Sequence, residues 1–95
     1  MIFEWDENKE QKNLKKHGID FRTAIHVFGD PFRIVMFDEE HSYDEDRYIL
    51  IGSINDRPCV LNISFTPRGG AVRVISARKA TAKERRLYYD HKNRY

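Results

Sequence analysis

The sequence predicts an α+β fold: a small, twisted and mainly antiparallel sheet with two N-terminal helices and one C-terminal helix. Three observations support this prediction. Residues 7–28 carry the cap residues and apolar spacing of helices, residues 32–78 contain four apolar runs separated by turn residues, and residues 81–84 open a final helix. The 95 residues are enough for one small domain with a modest core, covering 1–95.

The first strand and the first helix are predicted at the N-terminus. Met1 to Trp5 alternates loosely in polarity, as a short strand does. Asp6 opens a polar helix from Glu7 to His17, in which Leu14 is almost the only aliphatic anchor. Gly18 follows as a left-handed helix cap.

A second helix is predicted directly after Gly18. Asp20 can cap its N-terminus. Apolar residues then recur at the spacing i, i+3, i+4 and i+7, which predicts a buried stripe made of Phe21, Ala24, Ile25 and Phe28. The tripeptide Gly29-Asp30-Pro31 ends the helix.

Four further strands are predicted, at residues 32–37, 47–54, 59–66 and 71–78. Residues 47–54 are apolar on both faces, which favours a central position. Residues 55–58 and 67–70 are predicted hairpin turns. In the fourth strand, polarity alternates, which places Cys59, Leu61, Ile63 and Phe65 inward and Asn62, Ser64 and Thr66 outward.

The last helix is predicted from Ala82 towards Arg94. Thr81 and Glu84 form a capping box, in which each side chain accepts a hydrogen bond from a free backbone N–H at the start of the helix. The apolar side of this helix is expected to consist of Leu87, Tyr88, His91 and Tyr95.

The sequence excludes several classes of protein. The single Cys59 excludes an internal disulfide, and its apolar surroundings predict a buried, inert thiol rather than a nucleophile. No segment resembles a signal peptide or reaches the roughly 20 apolar residues of a membrane span, so we expect a cytoplasmic protein. The histidines lie on separate predicted elements, and no glycine-rich phosphate loop precedes a helix. No metal or other cofactor is predicted.

The net charge of +2 conceals a separation of charge along the chain. Residues 68–95 contain nine Lys or Arg residues against two acids, a balance of +7, whereas residues 38–46 contain six acids and no Lys or Arg, a balance of −6. The cations are densest where the predicted fifth strand meets the last helix. A phosphate backbone is the partner that best fits such a cluster.

RNA cleavage is a reaction that this junction could support, because the 2′-hydroxyl of the substrate is itself the nucleophile. The protein must supply a base, an acid for the leaving oxygen, and cations for the charged phosphorane. Arg78, Glu84 and Arg85 are the candidates at the junction. Glu84 could be the base or only a capping residue, and Arg85 diverges by about 100° from its neighbour Arg86.

Two more candidate catalytic residues lie outside the junction. Arg47 could reach the phosphate site, or it could pair with Asp44 or Glu45. His17 could act as acid or base, or it could be a structural residue beside the capping glycine. The expected RNA-binding residues are cations and one tyrosine that could stack on a base, namely Arg68, Arg73, Lys79, Lys83, Arg86 and Tyr89.

Taken together, these residues resemble the BrnT family, the toxin half of a bacterial type II toxin–antitoxin pair. The matching segments cover nearly the whole chain in the order of the family: Phe3-Glu4-Trp5-Asp6 with Lys9 and Asn13, Lys16-His17-Gly18-Ile19-Asp20-Phe21 with Ala24 and Phe28, Asp30-Pro31, Glu45-Asp46-Arg47-Tyr48 with Ile51-Gly52, and Ile75-Ser76-Ala77-Arg78-Lys79-Ala80 with Glu84-Arg85 and Tyr88.

The resemblance implies a compact fold similar to the RelE-type ribonuclease toxins, RNA cleavage without metal, and growth arrest. It also implies neutralisation by a cognate, BrnA-like antitoxin in a hetero-oligomer. Two alternatives remain open on the residues alone. The basic segment could bind RNA without cleaving it, or the acidic and basic segments could serve only to dock a protein partner.

Overall fold

The computed structural model describes residues 1–55 and 58–95. Its strands are β1 (Ile2–Glu4), β2 (Ile34–Phe37), β3 (Tyr48–Ser53), β4 (Val60–Arg68) and β5 (Ala71–Lys79). Its α-helices are α1 (Glu7–His17), α2 (Phe21–Ala24) and α3 (Ala82–Lys92), with short 3₁₀ helices at Ile25–Gly29 and Glu39–His41. The predicted α+β class is confirmed. No helix of the described residues is long and apolar enough to cross a membrane.

The five strands form one mixed sheet in the order β1-β5-β4-β3-β2. Three of its four pairings are antiparallel, and β1 lies parallel to β5, so the antiparallel prediction is only partly met. The prediction missed the parallel pair because alternation of polarity identifies a strand. It does not identify the strand that lies next to it in the sheet. The apolar strand β3 lies between β4 and β2, as its composition indicated.

The sheet has two faces, which are covered by different helices. The α1/α2 face presents the larger core, where strand residues such as Leu50, Ile63 and Ala77 pack against Phe21 and Val27. The α3 face presents a smaller core formed by Ile51, Val60, Ala80 and Tyr88. Because α3 covers only one end of its face, polar residues farther along the strands stay partly exposed.

Helix α1 is anchored by a polar residue rather than by its one leucine. Leu14 is 41% exposed, whereas Asn13 is buried. The Asn13 amide donates to the carbonyls of Ile19 and Ala77 and accepts a hydrogen bond from the N–H of Ala77. The predicted aliphatic anchor is therefore wrong, because one amide side chain here satisfies three backbone groups that helix packing would otherwise bury without partners.

The second predicted helix is shorter and tighter than expected. After one α-helical turn at α2, the chain continues as the 3₁₀ helix. Phe21 and Ala24 are fully buried, as the stripe predicted, but Val27 is buried as well, and Ile25 and Phe28 are only partly so. A change from 3.6 to about three residues per turn rotates Val27 into the core.

Strand β4 is the centre of the sheet, and residues on both of its faces are buried. Leu61, Ile63 and Phe65 are buried as predicted, but Asn62 and Thr66, expected to point outward into solvent, are also buried. The prediction for Cys59 is wrong, since this residue is exposed just before β4 begins. Alternation assigned these residues to faces correctly but could not show which faces another element covers.

The two hairpin turns differ in what the structure describes. The predicted turn at residues 55–58 includes Asp56 and Arg57, which lie outside the described residues. The second turn is narrower than predicted, since residues 67 and 68 belong to β4. Gly69 and Gly70 alone reverse the chain with φ of 55° and 84°, a left-handed pair that suits the twist of a two-residue hairpin.

Helix α3 is fixed to the sheet by a buried polar network. Asp30 Oδ2 accepts hydrogen bonds from the Tyr88 hydroxyl at 2.5 Å and from the Ser53 N–H at 2.8 Å. Burial raises the pKa of Asp30, but the hydrogen bonds from Ser53, Tyr88 and Phe32 outweigh it, so the pKa is lowered overall. Of the predicted apolar side of α3, only Tyr88 is buried, and Leu87 and Tyr95 remain 46% and 82% exposed.

Candidate nucleic-acid interface

The junction between β5 and α3 forms as the sequence predicted. The Thr81 hydroxyl accepts a hydrogen bond from the Glu84 N–H at 3.2 Å, and Glu84 Oε1 accepts one from the Thr81 N–H at 2.9 Å. Both halves of the capping box are therefore present. Because two otherwise free donors are satisfied at one helix start, the orientation of Glu84 is fixed by the backbone.

Glu84 also holds the guanidinium of Arg78 and the amide of Asn62. Arg78 donates from Nη1 to Glu84 Oε1 at 2.8 Å and from Nη2 to Oε2 at 3.1 Å, which is a two-bond fork. Asn62, which lies opposite Arg78 on β4, donates to Oε2 at 2.9 Å. The hydrogen bond from Arg78 is the largest influence that lowers the pKa of Glu84 to about 2.

One flank of α3 and the adjacent strands enclose a surface groove of about 560 Å³. We call it the α3 groove. It has apolar side chains in its floor and wall and charged side chains on its rim, and it is lined by Met36, Ile51, Thr81, Lys83, Glu84, Arg86, Leu87 and Asp90. Arg78 does not line the groove itself, but it is hydrogen-bonded to Glu84, which does.

Lys83 and Arg86 bring free positive charge to the α3 groove. Within residues 1–55 and 58–95, neither side chain has a salt-bridge partner. Arg68 and Arg73 of the basic segment differ in this respect, because Arg68 pairs with Glu45 and Arg73 with Glu4. The groove rim therefore carries two cations without a salt-bridge partner among the described residues, beside the carboxylates of Glu84 and Asp90.

Arg85 lies away from the groove, as the helical geometry predicted for neighbours. Its Nη1 donates to the carbonyl of Ala80 at 2.9 Å, and Arg85 does not line the α3 groove. Tyr88 is the tyrosine that packs in the core. Tyr89 is half-buried against the smaller core on the α3 face. Its ring meets that of Tyr88 edge to face, with the ring centroids 5.2 Å apart, so only part of the Tyr89 ring is open for stacking.

Two of the predicted site residues lie on the other side of the sheet. Lys79 is paired with Leu61, and both line a separate hollow of about 190 Å³ on the α1/α2 face, together with the exposed Cys59. His17 ends α1, which packs on that same face through Asn13. The structure therefore does not bring Lys79 or His17 together with Arg78, because successive residues of a strand point to opposite faces.

Arg47, Arg68 and Arg73 lie on the α3 face but at the far end from Arg78. Alternation from Ile49 places Arg47 on that face, where it lines a different hollow of about 120 Å³. Arg73 is opposite Thr66 on β4, whereas Arg78 is opposite Asn62. Four residues of strand separate Thr66 from Asn62, so the backbones of Arg73 and Arg78 lie about 13 Å apart.

The strand residues between the two groups of arginines are only partly exposed. Ser64 and Ser76 pair with each other midway along β4 and β5, and both are partly exposed. Ile49 lies beside Ser64 on β3 and is partly exposed as well. The arginines on the α3 face are therefore separated by a strip of sheet that is partly exposed at Ser64 and Ser76 and buried at Thr66.

Asn62 is the site residue that sequence reasoning missed. As a polar residue on the outward side of a strand, it gave no signal beyond surface polarity. Its position opposite Arg78 depends on strand register, which only the assembled sheet shows. Among the described residues, no group of three or more His, Cys, Asp or Glu side chains is arranged to hold a metal ion.

Comparison with known proteins identifies a family. A family model described as "Ribonuclease toxin, BrnT, of type II toxin-antitoxin system" matches residues 5–84 of the 95. The matched region extends from Trp5 to Glu84 and so includes Arg78 and the capping box. No curated protein matches the chain.

Proposed function

The chain belongs to the BrnT family of ribonuclease toxins of type II toxin–antitoxin systems, and on that premise we propose that it cleaves RNA in the α3 groove without a metal ion. The observation that carries this proposal is the guanidinium of Arg78. It is held by two hydrogen bonds to Glu84, a lining residue of a groove whose rim carries two cations without a salt-bridge partner among the described residues, Lys83 and Arg86.

The proposed reaction is attack by the substrate's own 2′-hydroxyl on the adjacent phosphorus. The bond from phosphorus to the 5′-oxygen breaks, which leaves a 2′,3′-cyclic phosphate on one product and a 5′-hydroxyl on the other. One proton leaves the 2′-oxygen and one is added to the 5′-oxygen, so the reaction needs no oxidant or reductant. Cations lower its barrier by stabilising the extra negative charge of the phosphorane.

Arg78 is the proposed phosphate-binding residue, and Glu84 is its positioning residue. Nη1 of Arg78 donates to Glu84 and to the carbonyl of Lys79, and Nη2 donates once to Glu84. A guanidinium has five N–H donors, so Nε and the second hydrogen of Nη2 remain for phosphate oxygens. A carboxylate with a pKa of about 2 that already accepts four side-chain and backbone hydrogen bonds is a weak base at neutral pH. Positioning therefore fits Glu84 better than proton abstraction does.

Lys83 and Arg86 are proposed to bind the phosphates on either side of the scissile one. Both are exposed and unpaired among the described residues, so they meet a polyanion without first losing a partner. Met36 and Leu87, which are 37% and 46% exposed, offer an apolar surface against which an unstacked base can pack. The groove thereby favours single-stranded RNA, whose bases are free to turn towards the protein.

Incubation of the purified protein with single-stranded RNA in EDTA tests the proposal. Shortened RNA ending in 2′,3′-cyclic phosphate is expected, and it should disappear in Arg78→Ala but persist in Arg85→Ala, whose side chain lies on the other flank of α3. Equal loss in both variants, or cleavage that EDTA abolishes, would count against the site. Expression should arrest growth, and a cognate BrnA-like antitoxin should relieve the arrest.

A second candidate function, RNA binding without cleavage, is favoured by one observation. None of the side chains lining the α3 groove is a histidine, and the pKa of the Glu84 carboxyl there is about 2, so Glu84 is a poor proton donor or acceptor near pH 7. Intact RNA with a salt-dependent mobility shift would favour this alternative. Loss of the shift in a Lys83→Ala, Arg86→Ala double variant would still place the RNA in the groove.

A further inference from the structure

The free edge of the sheet at β2 is apolar and carries none of the usual protection. β2 is the last strand in the sheet order, so its outer side has no strand partner among the described residues. Val35, Met36 and Phe37 are 49%, 37% and 50% exposed. Edge strands usually carry Lys, Pro or a bulge that hinders further pairing, and the sequence Ile-Val-Met-Phe has none of these. Such an edge can accept another strand.

Backbone geometry shows which groups this edge offers. Opposite residues of antiparallel strands alternate between pairs that are hydrogen-bonded to each other and pairs that are not. The Asp38 N–H donates to the Arg47 carbonyl at 2.8 Å, so these two opposite residues form a hydrogen-bonded pair. Met36 and Ile34 lie two and four residues earlier on β2, and therefore they also direct their backbone N–H and C=O groups to β3. Val35 and Phe37 consequently turn their N–H and C=O groups outward.

An excess of negative charge lies in the connector that follows β2 at its C-terminal end. Residues 38–46 contain six acids, of which Asp38 pairs with His41 and Glu45 with Arg68. The remaining acids have no salt-bridge partner among the described residues, namely Glu39, Glu40, Asp44 and Asp46. A partner that fits this surface has alternating apolar side chains followed or preceded by Lys or Arg.

We propose that an extended segment of the antitoxin, apolar on alternate residues and flanked by Lys or Arg, adds to the outer edge of β2 as a sixth strand. The inference rests on the proposed function only in taking the family's antitoxin as the partner, since neither Val35 nor Phe37 lines the α3 groove. Met36 lies on the face of the groove and lines it. Side chains of the added strand next to Met36 therefore narrow the groove, which links antitoxin binding to loss of RNA access.

The test uses the antitoxin encoded with this chain, purified and titrated into the toxin by calorimetry. Val35→Pro removes an outward N–H without removing a hydrogen bond to β3. Val35→Lys instead places a charge on the edge. Leu14→Lys is the matched control, because it makes the same kind of change at an exposed apolar residue on α1. Both Val35 variants are expected to weaken antitoxin binding by about tenfold or more, and Leu14→Lys by less than about twofold.

Three further measurements keep the inference separate from the proposed function. Circular dichroism of each free variant shows whether it is folded, and if Val35→Pro is not, Val35→Lys carries the test. RNA cleavage by free Val35→Lys should equal that of the unmodified chain. Hydrogen exchange at the amides of Val35 and Phe37 should slow in the complex, because both become donors in the new ladder.

The acidic side of the interface has its own variant. In the double variant Glu39→Gln, Glu40→Gln, the affinity for the antitoxin should change less with salt concentration. Charges at the rim of an interface mainly affect the salt-dependent part of binding. Unchanged affinity in both Val35 variants, or protection from exchange confined to other strands, would overturn the inference. It would also be overturned if Val35→Lys abolished a toxin dimer in solution while antitoxin affinity stayed the same. If the free chain leaves RNA intact but the antitoxin contact at β2 is confirmed, only the proposed function is rejected.

Discussion

The hydroxyl of Tyr88 donates to Oδ2 of Asp30 at 2.5 Å, across 58 residues of chain, and joins α3 to the segment that precedes β2. Tyr88 is 1% exposed and Asp30 is 8% exposed, so this contact is shielded from water. Burial raises the pKa of Tyr88 to about 12, which keeps its hydroxyl protonated and donating at any physiological pH. The α3 groove depends on this attachment, because α3 supplies one of its walls.

Replacing Tyr88 by Phe should destabilise the fold. The change leaves the buried Asp30 carboxylate without one donor and Ser53 Oγ without its contact to the hydroxyl at 3.1 Å. We expect a loss of about 1–3 kcal/mol in the free energy of unfolding, measured by urea denaturation with an unchanged slope. Tyr89→Phe is the control, with an expected loss below about 0.5 kcal/mol. Equal losses would show that the hydroxyl contact is not responsible.

Gly52 is predicted to tolerate no side chain. A Cβ atom there would lie 3.2 Å from Asp30 Oδ2 and 3.3 Å from Leu50 Cδ2, whereas a Cβ at Gly29 would meet nothing within 4 Å. Gly52→Ala should therefore lower the thermal unfolding midpoint, at a cost of about 1–3 kcal/mol. Gly29→Ala should leave it nearly unchanged. A Gly52→Ala protein as stable as the parent chain would contradict this packing.

Asn13→Asp should weaken the attachment of α1 to β5. The amide of Asn13 donates to two carbonyls, those of Ile19 and Ala77, and a carboxylate would instead face them with negative charge. Because the site is buried, we expect a loss of about 2–4 kcal/mol at pH 7, measured by chemical denaturation. The loss should shrink as pH falls and the introduced carboxylate takes up a proton. A loss that does not change with pH would reject the electrostatic explanation.

Glu84→Gln should make stability less dependent on acid pH. The pKa of Glu84 falls from 4.5 to about 2 on folding, chiefly through its hydrogen bond with Arg78. A lowered pKa stabilises the fold above the unfolded value, and this contribution is lost as pH falls from about 4.5 towards 2. We expect the thermal unfolding midpoints of Glu84→Gln and of the parent chain, measured across this pH range, to differ most at pH 7. The two midpoints should converge near pH 2.5. Parallel curves would place the ionisation elsewhere.

The same substitution separates the two roles of Glu84 in cleavage. If Glu84 positions Arg78, Glu84→Gln should lower the cleavage rate by a similar factor at every pH from 6 to 8. Loss of a catalytic base would also change the slope of the pH profile. Arg78→Ala should remove cleavage at a stability cost of about 1 kcal/mol or less, because this ion pair is only partly buried. Unfolding of Arg78→Ala would leave its role in the site without support.

The sequence by itself determined where most helices and strands of this protein begin, although not the length of α2. Asp6, Gly18, Asp20 and Thr81 act at the helix ends where their side chains and conformations predicted. Helix α1 has the predicted bounds, and five strands occur in the predicted order. These features follow from hydrogen bonds and apolar spacing within a few residues, which neighbouring amino acids encode directly.

Only the tertiary structure decided which of the basic residues could act together. Arg78 and Lys79 are adjacent in the chain but lie on opposite faces of the sheet, and Arg85 turns to the far flank of α3. Asn62 joins Glu84 and Arg78 through pairing between β4 and β5. The physical reason is that strand register and helix docking set which side chains meet, and both depend on packing between segments that are distant in sequence.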